Sequence, residues 1–246
     1  MRLTKGVATV VLAAMAVTAG PARANSRKAD QIARKYVAAI GGDRFKAVAS
    51  LRVEGTVQVQ GIAAPFTLWL QRPDRSRLEI SIMGHDVIQA FDGETAWWIN
   101  PLVGAGAPTE MPEDFAREVA FWSNFDGPLV DYRKRKLRYL GEEELDTGPA
   151  YKIRVAMPGG DEVYTFIDSK TYLEVRRTHT QYFHGEPVVV DTYFSDFARF
   201  DGIVVPRRIT GVGFAGERFV MRVGSVVLDV QPDESRFQIP GREKND

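Results

Sequence analysis

The chain has 246 residues, with 32 Lys and Arg against 32 Asp and Glu and no cysteine. That balance excludes the strongly basic surface of a typical nucleic-acid binder and gives no reason for strong attraction to anionic lipid. The composition, 44% hydrophobic and 26% charged, is ordinary for a globular protein, so a sizeable core is available without disulfides.

The first 24 residues read as an export signal. Arg2 and Lys5 form a short basic start, Gly6 to Ala19 is an uncharged and mostly apolar run, and Pro21-Ala22-Arg23-Ala24 supplies a small-x-small cut site after Ala24. The run is too short to span a bilayer, which takes roughly 20 residues. A buried first helix is the alternative, and it leaves the cut-site flank unexplained. A bacterial lipoprotein carries its lipid on a cysteine at the cleavage site, and this chain has none. The expectation is an exported, soluble, unanchored periplasmic protein, its residues 25–246 forming one domain.

After the cut, helices are expected over residues 25–49. Asn25 to Ile40 is amphipathic, with Ile32, Tyr36 or Val37, and Ile40 at helical spacing, and Gly41-Gly42 stops it. From Ser50 the period changes to two. Leu51, Val53, Val57 and Val59 alternate with polar residues, and Phe66, Leu68, Leu70 and then Leu78, Ile80, Ile82 repeat the pattern. Asp92-Gly93 marks a hairpin. Pro101 to Pro112 reads as a Gly-, Ala- and Pro-rich loop that could serve as a hinge. A helix over residues 111–125 follows, with Met111, Phe115, Val119 and Trp122 on one stripe, widened by Phe121 and Phe125. Strands then return up to Val230, and residues 231–246 read as a charged tail. Turn signals at this spacing indicate antiparallel β-structure, so the expected architecture is mainly β with some α. One strongly curved, open antiparallel half-barrel would hold the helices over its concave face.

Few motifs carry chemistry. Gly211-Val212-Gly213-Phe214-Ala215-Gly216 spells G-x-G-x-x-G, but the residues after it alternate like a strand, whereas a dinucleotide site needs a helix there. His85, His179 and His184 lack the spacing of a metal site. Glu142 to Asp146 reads as a solvated turn, and Arg133 to Lys136 as a solvated face, with a docking patch as the alternative. Nothing argues for an enzyme, a cofactor or a catalytic residue. The aromatics Phe66, Trp69, Trp97, Trp98, Phe115, Phe121, Trp122 and Phe125 either fill a large core or line a cavity for an apolar ligand.

Two segments, Leu68-Trp69-Leu70-Gln71-Arg72-Pro73-Asp74 and Phe91-Asp92-Gly93-Glu94-Thr95-Ala96-Trp97-Trp98-Ile99-Asn100-Pro101, resemble the periplasmic lipoprotein carriers of the LolA type and the related LolB receptors. The resemblance is close over Phe66 to Val103. It implies an open β-barrel with a helical lid that binds lipoprotein acyl chains and sorts them to the outer membrane. Arg72 takes the place of the arginine that latches the family's lid. The polar run Arg75-Ser76-Arg77 departs from the carriers, which have an aromatic here. On this reading Phe66, Leu68, Leu70, Leu78, Ile80, Ile82, Trp97 and Ile99 line the ligand groove, and Phe115, Val119 and Trp122 form the lid's apolar face. The implied partners are an acylated lipoprotein or another lipid, an inner-membrane exporter and an outer-membrane acceptor. The protein would be a monomer touching membranes only transiently, and the missing cysteine favours the mobile carrier over the anchored receptor. Another lipid-binding module, or an envelope-stress sensor on the same fold, is the alternative. Terminal sequencing of the protein recovered from the envelope is expected to start at Asn25, and an uncut chain would refute the signal reading.

Overall fold

A computed structural model describes residues 21–213 and 216–241. Most of the expected export signal, residues 1–20, lies outside the described residues. The chain opens with helix α1 (Pro21–Ala39) and a short α2 (Asp43–Ala47). Six strands follow: β1 (Ser50–Val59), β2 (Ile62–Gln71), β3 (Arg75–Ile82), β4 (His85–Phe91), β5 (Ala96–Asn100) and β6 (Ala105–Glu110). Helix α3 (Glu113–Ser123) crosses to a second set: β7 (Lys136–Leu145), β8 (Gly148–Ala156), β9 (Glu162–Asp168), β10 (Glu174–Phe183), β11 (Glu186–Phe200), β12 (Ile203–Val212) and β13 (Arg218–Leu228).

All thirteen described strands join one antiparallel sheet in the order β6-β5-β4-β3-β2-β1-β13-β12-β11-β10-β9-β8-β7. The sheet is unclosed, with β6 and β7 as its edges, and the expected open half-barrel is what the chain forms. Each half is a meander of sequential neighbours, and the two halves meet only where β1 pairs with β13. At that seam β1 shifts register between Glu54 and Gly55. A Cβ on Gly55 would stand 2.0 Å from the Arg222 carbonyl oxygen and 2.9 Å from the Phe66 ring. Only glycine permits this approach of two backbones, and such irregularities bend a sheet locally.

Helix α1 buries Ala29, Ile32, Ala33, Tyr36 and Val37, and Ile40 just past its end joins them, in one core with Leu137, Ile153 and Val155. These positions follow the i, i+3, i+4 rule of a one-sided helix. Gly41 and Gly42, at φ 127° and 57°, end it as expected, and Val204 N–H fastens the end by donating to the Ile40 carbonyl at 2.9 Å. The G-x-G-x-x-G segment joins β12 to β13, so a strand follows the glycines and no helix N-terminus faces them.

Three segments differ from expectation. The Pro101–Pro112 stretch is not an open loop: a 3-10 turn at Pro101–Val103 leads into edge strand β6. Nearly every β6 residue is exposed, so no buried face imposes an alternating pattern, and Pro108 is tolerated because an edge strand has spare N–H positions. Glu142 to Glu144 likewise belong to edge strand β7 rather than to a turn, and Glu143 pairs with Lys152 at 3.1 Å and Arg176 at 3.4 Å. The tail is charged but docked. Phe237 is fully buried, its carbonyl accepts from the Trp97 indole at 2.7 Å, and Arg77 donates to the Arg236 carbonyl at 2.9 Å.

Asp229, just past β13, ties the seam to α2. It accepts from Ala49 N–H and from Arg44, both at 2.9 Å. The backbone hydrogen bond first, and Arg44 second, hold its pKa below the usual carboxylate value. A depressed folded pKa contributes stability above the unfolded value of about 3.9 and loses it as pH falls through the folded one. Thermal melts of Asp229→Asn should therefore differ most from the unmodified protein near neutral pH, with the gap closing on acidification; a gap constant with pH would refute the linkage.

Candidate functional site

Strand register carries the inward face from one strand to the next. Val53 stands opposite Leu68, and Leu68 opposite Leu78; Leu51 opposes Leu70, and Phe66 opposes Ile80. These side chains, with Met221, Val223 and Val226 of β13 and Ile209 of β12, line a cavity of about 450 Å³ between sheet and helices. That size lies within the roughly 300–1,000 Å³ of small-molecule sites, and the lining is predominantly apolar, as in such sites.

Of the residues singled out by sequence, Phe66, Leu68, Leu70, Leu78 and Ile80 line the cavity, as do Val119 and Trp122 of α3. Ile82 is partly buried against the same core farther along β3, outside the cavity wall. Phe115 faces inward but packs on Trp98, ring centroids 5.3 Å apart, in a separate cluster with Phe91, Ala96 and Met111. Trp97 and Ile99 need correction. Leu78 pairs with Gln89, and Gln89 with Trp98, so Trp98 takes the concave face. Trp97 and Ile99, opposite Ala90 and Ile88, lie on the convex one. Trp97 is fully buried there beneath the tail, with its ring also facing Arg77. An isolated Trp-Trp-Ile run gives no parity; only the register with β4 does.

Arg72, just past the end of β2, does not line the cavity but is bonded to groups at its border. Its guanidinium makes an ion pair with Asp126, with Nε at 3.2 Å from both carboxylate oxygens. It also donates to the carbonyls of Phe45 at 3.2 Å and Lys46 at 3.1 Å. Its charge sits 4.5 Å from the Phe125 ring centre and 5.5 Å from that of Phe45, and both rings line the cavity. One arginine thus joins the sheet, α2 and the segment after α3.

Helix α3 is fastened to both halves of the sheet. Ser123 shares a buried hydrogen bond with Ser76 of β3 at 2.6 Å, and Glu118 meets His179 of β10 at 2.9 Å. The Trp122 indole donates to Glu118 at 2.6 Å, and Phe121 stacks on His179 at 4.6 Å. At the helix start Asp114 accepts from Gly185 N–H, in the β10–β11 turn, at 2.8 Å.

Sequence reading missed the polar side of the cavity. Arg177 and Glu174, 8% and 6% exposed, form a two-pronged ion pair at 2.9 and 2.6 Å. Burial opposes the Arg177 charge, but Glu174 outweighs it and raises the guanidinium's pKa. Burial, aided by Glu174, also pushes the Tyr36 phenol well above its usual value. Glu174 and Arg177 sit three apart in a strand segment with a register shift, a spacing that period-two reading does not bring to one face. Among the described residues, no group of three or more His, Cys, Asp or Glu could hold a metal ion.

Replacing Arg72 by Met leaves the half-buried Asp126 unpaired, which should cost about 1–3 kcal/mol. Hydrogen exchange should accelerate in α2 and residues 124–130 while β8 and β9 stay protected. Uniform acceleration across the sheet would show that Arg72 supports the whole fold rather than this closure.

No family model matches the sequence, and no curated protein matches it. Solved structures do match in fold. A DUF1329 family protein from Desulfovibrio piger superposes with a TM-score of 0.60 at 14% identity, covering 87% of this chain and 97% of that one. A putative outer membrane lipoprotein-sorting protein domain from Vibrio parahaemolyticus gives 0.57 at 10% identity, covering 87% and 97%. A LolA superfamily protein from Nitrosomonas europaea gives 0.52 at 15% identity, covering 89% and 98%. The chain therefore has the fold of LolA-like lipoprotein-sorting proteins.

Proposed function

We propose that this protein is a periplasmic carrier that holds the acyl chains of an outer-membrane lipoprotein in its cavity during sorting. The observation that carries this reading is an apolar cavity of about 450 Å³ left unfilled between a half-barrel and its helices. Burying each methylene yields roughly 0.8 kcal/mol, so one long acyl chain supplies on the order of 10 kcal/mol without a catalytic group or charged clamp. A carrier must also let go. The Arg72–Asp126 clamp and the α3 contacts with Ser76, His179 and Gly185 are few, polar and separable, and they tie the cover to the walls without filling the space. Arg72 is the latch, and the aliphatic residues of β1 to β3 hold the chain. An inner-membrane exporter and an outer-membrane acceptor would load and unload it. Among the described residues no helix is long and apolar enough to cross a membrane.

The test is native mass spectrometry of the mature protein isolated from the envelope. A bound triacylated protein is the expected result; free lipid alone would narrow the role to lipid binding. A protein that is always empty and takes up no apolar dye would refute the reading. Leu68→Glu, which puts a carboxylate into the apolar floor, should abolish uptake while leaving the circular dichroism spectrum unchanged.

A further inference from the structure

The cavity's two walls differ in chemistry. Val53, Leu68 and Leu78 on β1 to β3 present hydrocarbon. The β10–β11 wall carries Gln181 and Thr192, which are 6% and 4% exposed, line the cavity, and have no hydrogen-bond partner among the described residues. Thr192 stands directly opposite Arg177, and Gln181 lies four positions farther along β10 on the same face. The polar groups are therefore spread over roughly 13 Å of one wall.

A buried amide or hydroxyl without a partner is costly, so a purely hydrocarbon occupant would leave Gln181 and Thr192 unsatisfied. The occupant that suits this wall brings hydrogen-bonding groups beside its apolar chain. Charge narrows the class further. Among the described lining residues Arg177 is the one cation, and Glu174 already holds it by both prongs. Among the described lining residues no further cation is left to meet a carboxylate or phosphate, and Glu118 would repel either. An ammonium gains little from Glu118, which already meets the Trp122 indole and His179.

We propose that the Gln181–Thr192 wall is a subsite for an uncharged, hydrogen-bonding head, a hydroxyl, ester or amide group, attached to a long acyl chain. This rests on the cavity being the ligand site. Gln181 can donate and accept, and Thr192 can do both through one hydroxyl, so the two, spread along the wall, suit separate hydrogen-bonding groups of one ligand rather than a single acceptor.

The experiment measures displacement of the dye N-phenylnaphthylamine by three ligands of equal chain length: monopalmitoylglycerol, palmitate and palmitylamine. Monopalmitoylglycerol should displace the dye at the lowest concentration. In the shape-conserving double variant Gln181→Leu with Thr192→Val, its advantage over palmitate should fall by about fivefold or more, the loss expected for two hydrogen bonds. Each displacement is referred to the variant's own dye affinity, and Gln181→Met alone, checked for an unaltered melting temperature, should show part of the loss. Palmitate or palmitylamine ranking first, equal displacement by all three, or an undiminished preference in the double variant would overturn the subsite while leaving the cavity reading standing. Failure to bind dye at all would overturn both.

Discussion

The guanidinium of Arg72 is where three otherwise separate pieces of the molecule meet: the end of β2, the carbonyl end of α2 and the segment that leaves α3. A curved sheet with an apolar hollow cannot stay open to water without exposing a large hydrophobic surface, and helices alone cover it only if something holds their ends. Arginine suits the place because its planar fork serves a carboxylate and two carbonyls at once while its faces lie over Phe45 and Phe125. The two rings also line the cavity, so the ion pair and the apolar lining meet at this one side chain. Without this junction, α2 and the segment after α3 lose their shared anchor on the sheet.

Helix α3 solves a different problem. It is the crossover between the two edges, so the chain that covers the hollow is the chain that links the halves of the sheet. Its inner side is mixed: Val119 faces the cavity, while Glu118 and Ser123 reach polar partners on strands of opposite halves. A wholly apolar helix would bind the hollow more tightly and fill it. The polar contacts hold the helix in place while leaving room beneath.

What sequence reveals here follows the physics of burial. Strands β1 to β3 are half-buried, so Leu51 to Val59, Phe66 to Leu70 and Leu78 to Ile82 alternate visibly, and their inward residues line the cavity or its flank. Strand β6 is exposed on both faces and reads as a loop, while the acidic run Glu142 to Glu144 at the far end of edge strand β7 reads as a turn. Trp97 and Trp98 are equally apolar, and only pairing with Ala90 and Gln89 assigns one to the tail and the other to the side of α3. The docked tail is hidden because one aromatic, Phe237, anchors it among charged neighbours. Gln181 and Thr192 look like ordinary strand residues until the hollow beside them is known.

The seam between β1 and β13 pairs Leu51 with Leu228, residues from opposite ends of the folded chain. Every other strand pair joins neighbours in sequence, so this contact alone bears the entropy of closing a very long loop, on the order of 5 kcal/mol. Val57 and Met221 face each other across that seam, and both line the cavity. A molecule lying on the floor touches both halves at once, so its binding free energy adds to the most entropically expensive joint in the sheet. An occupant of such a cavity would then also be a staple, holding the two halves of the sheet together from the inside.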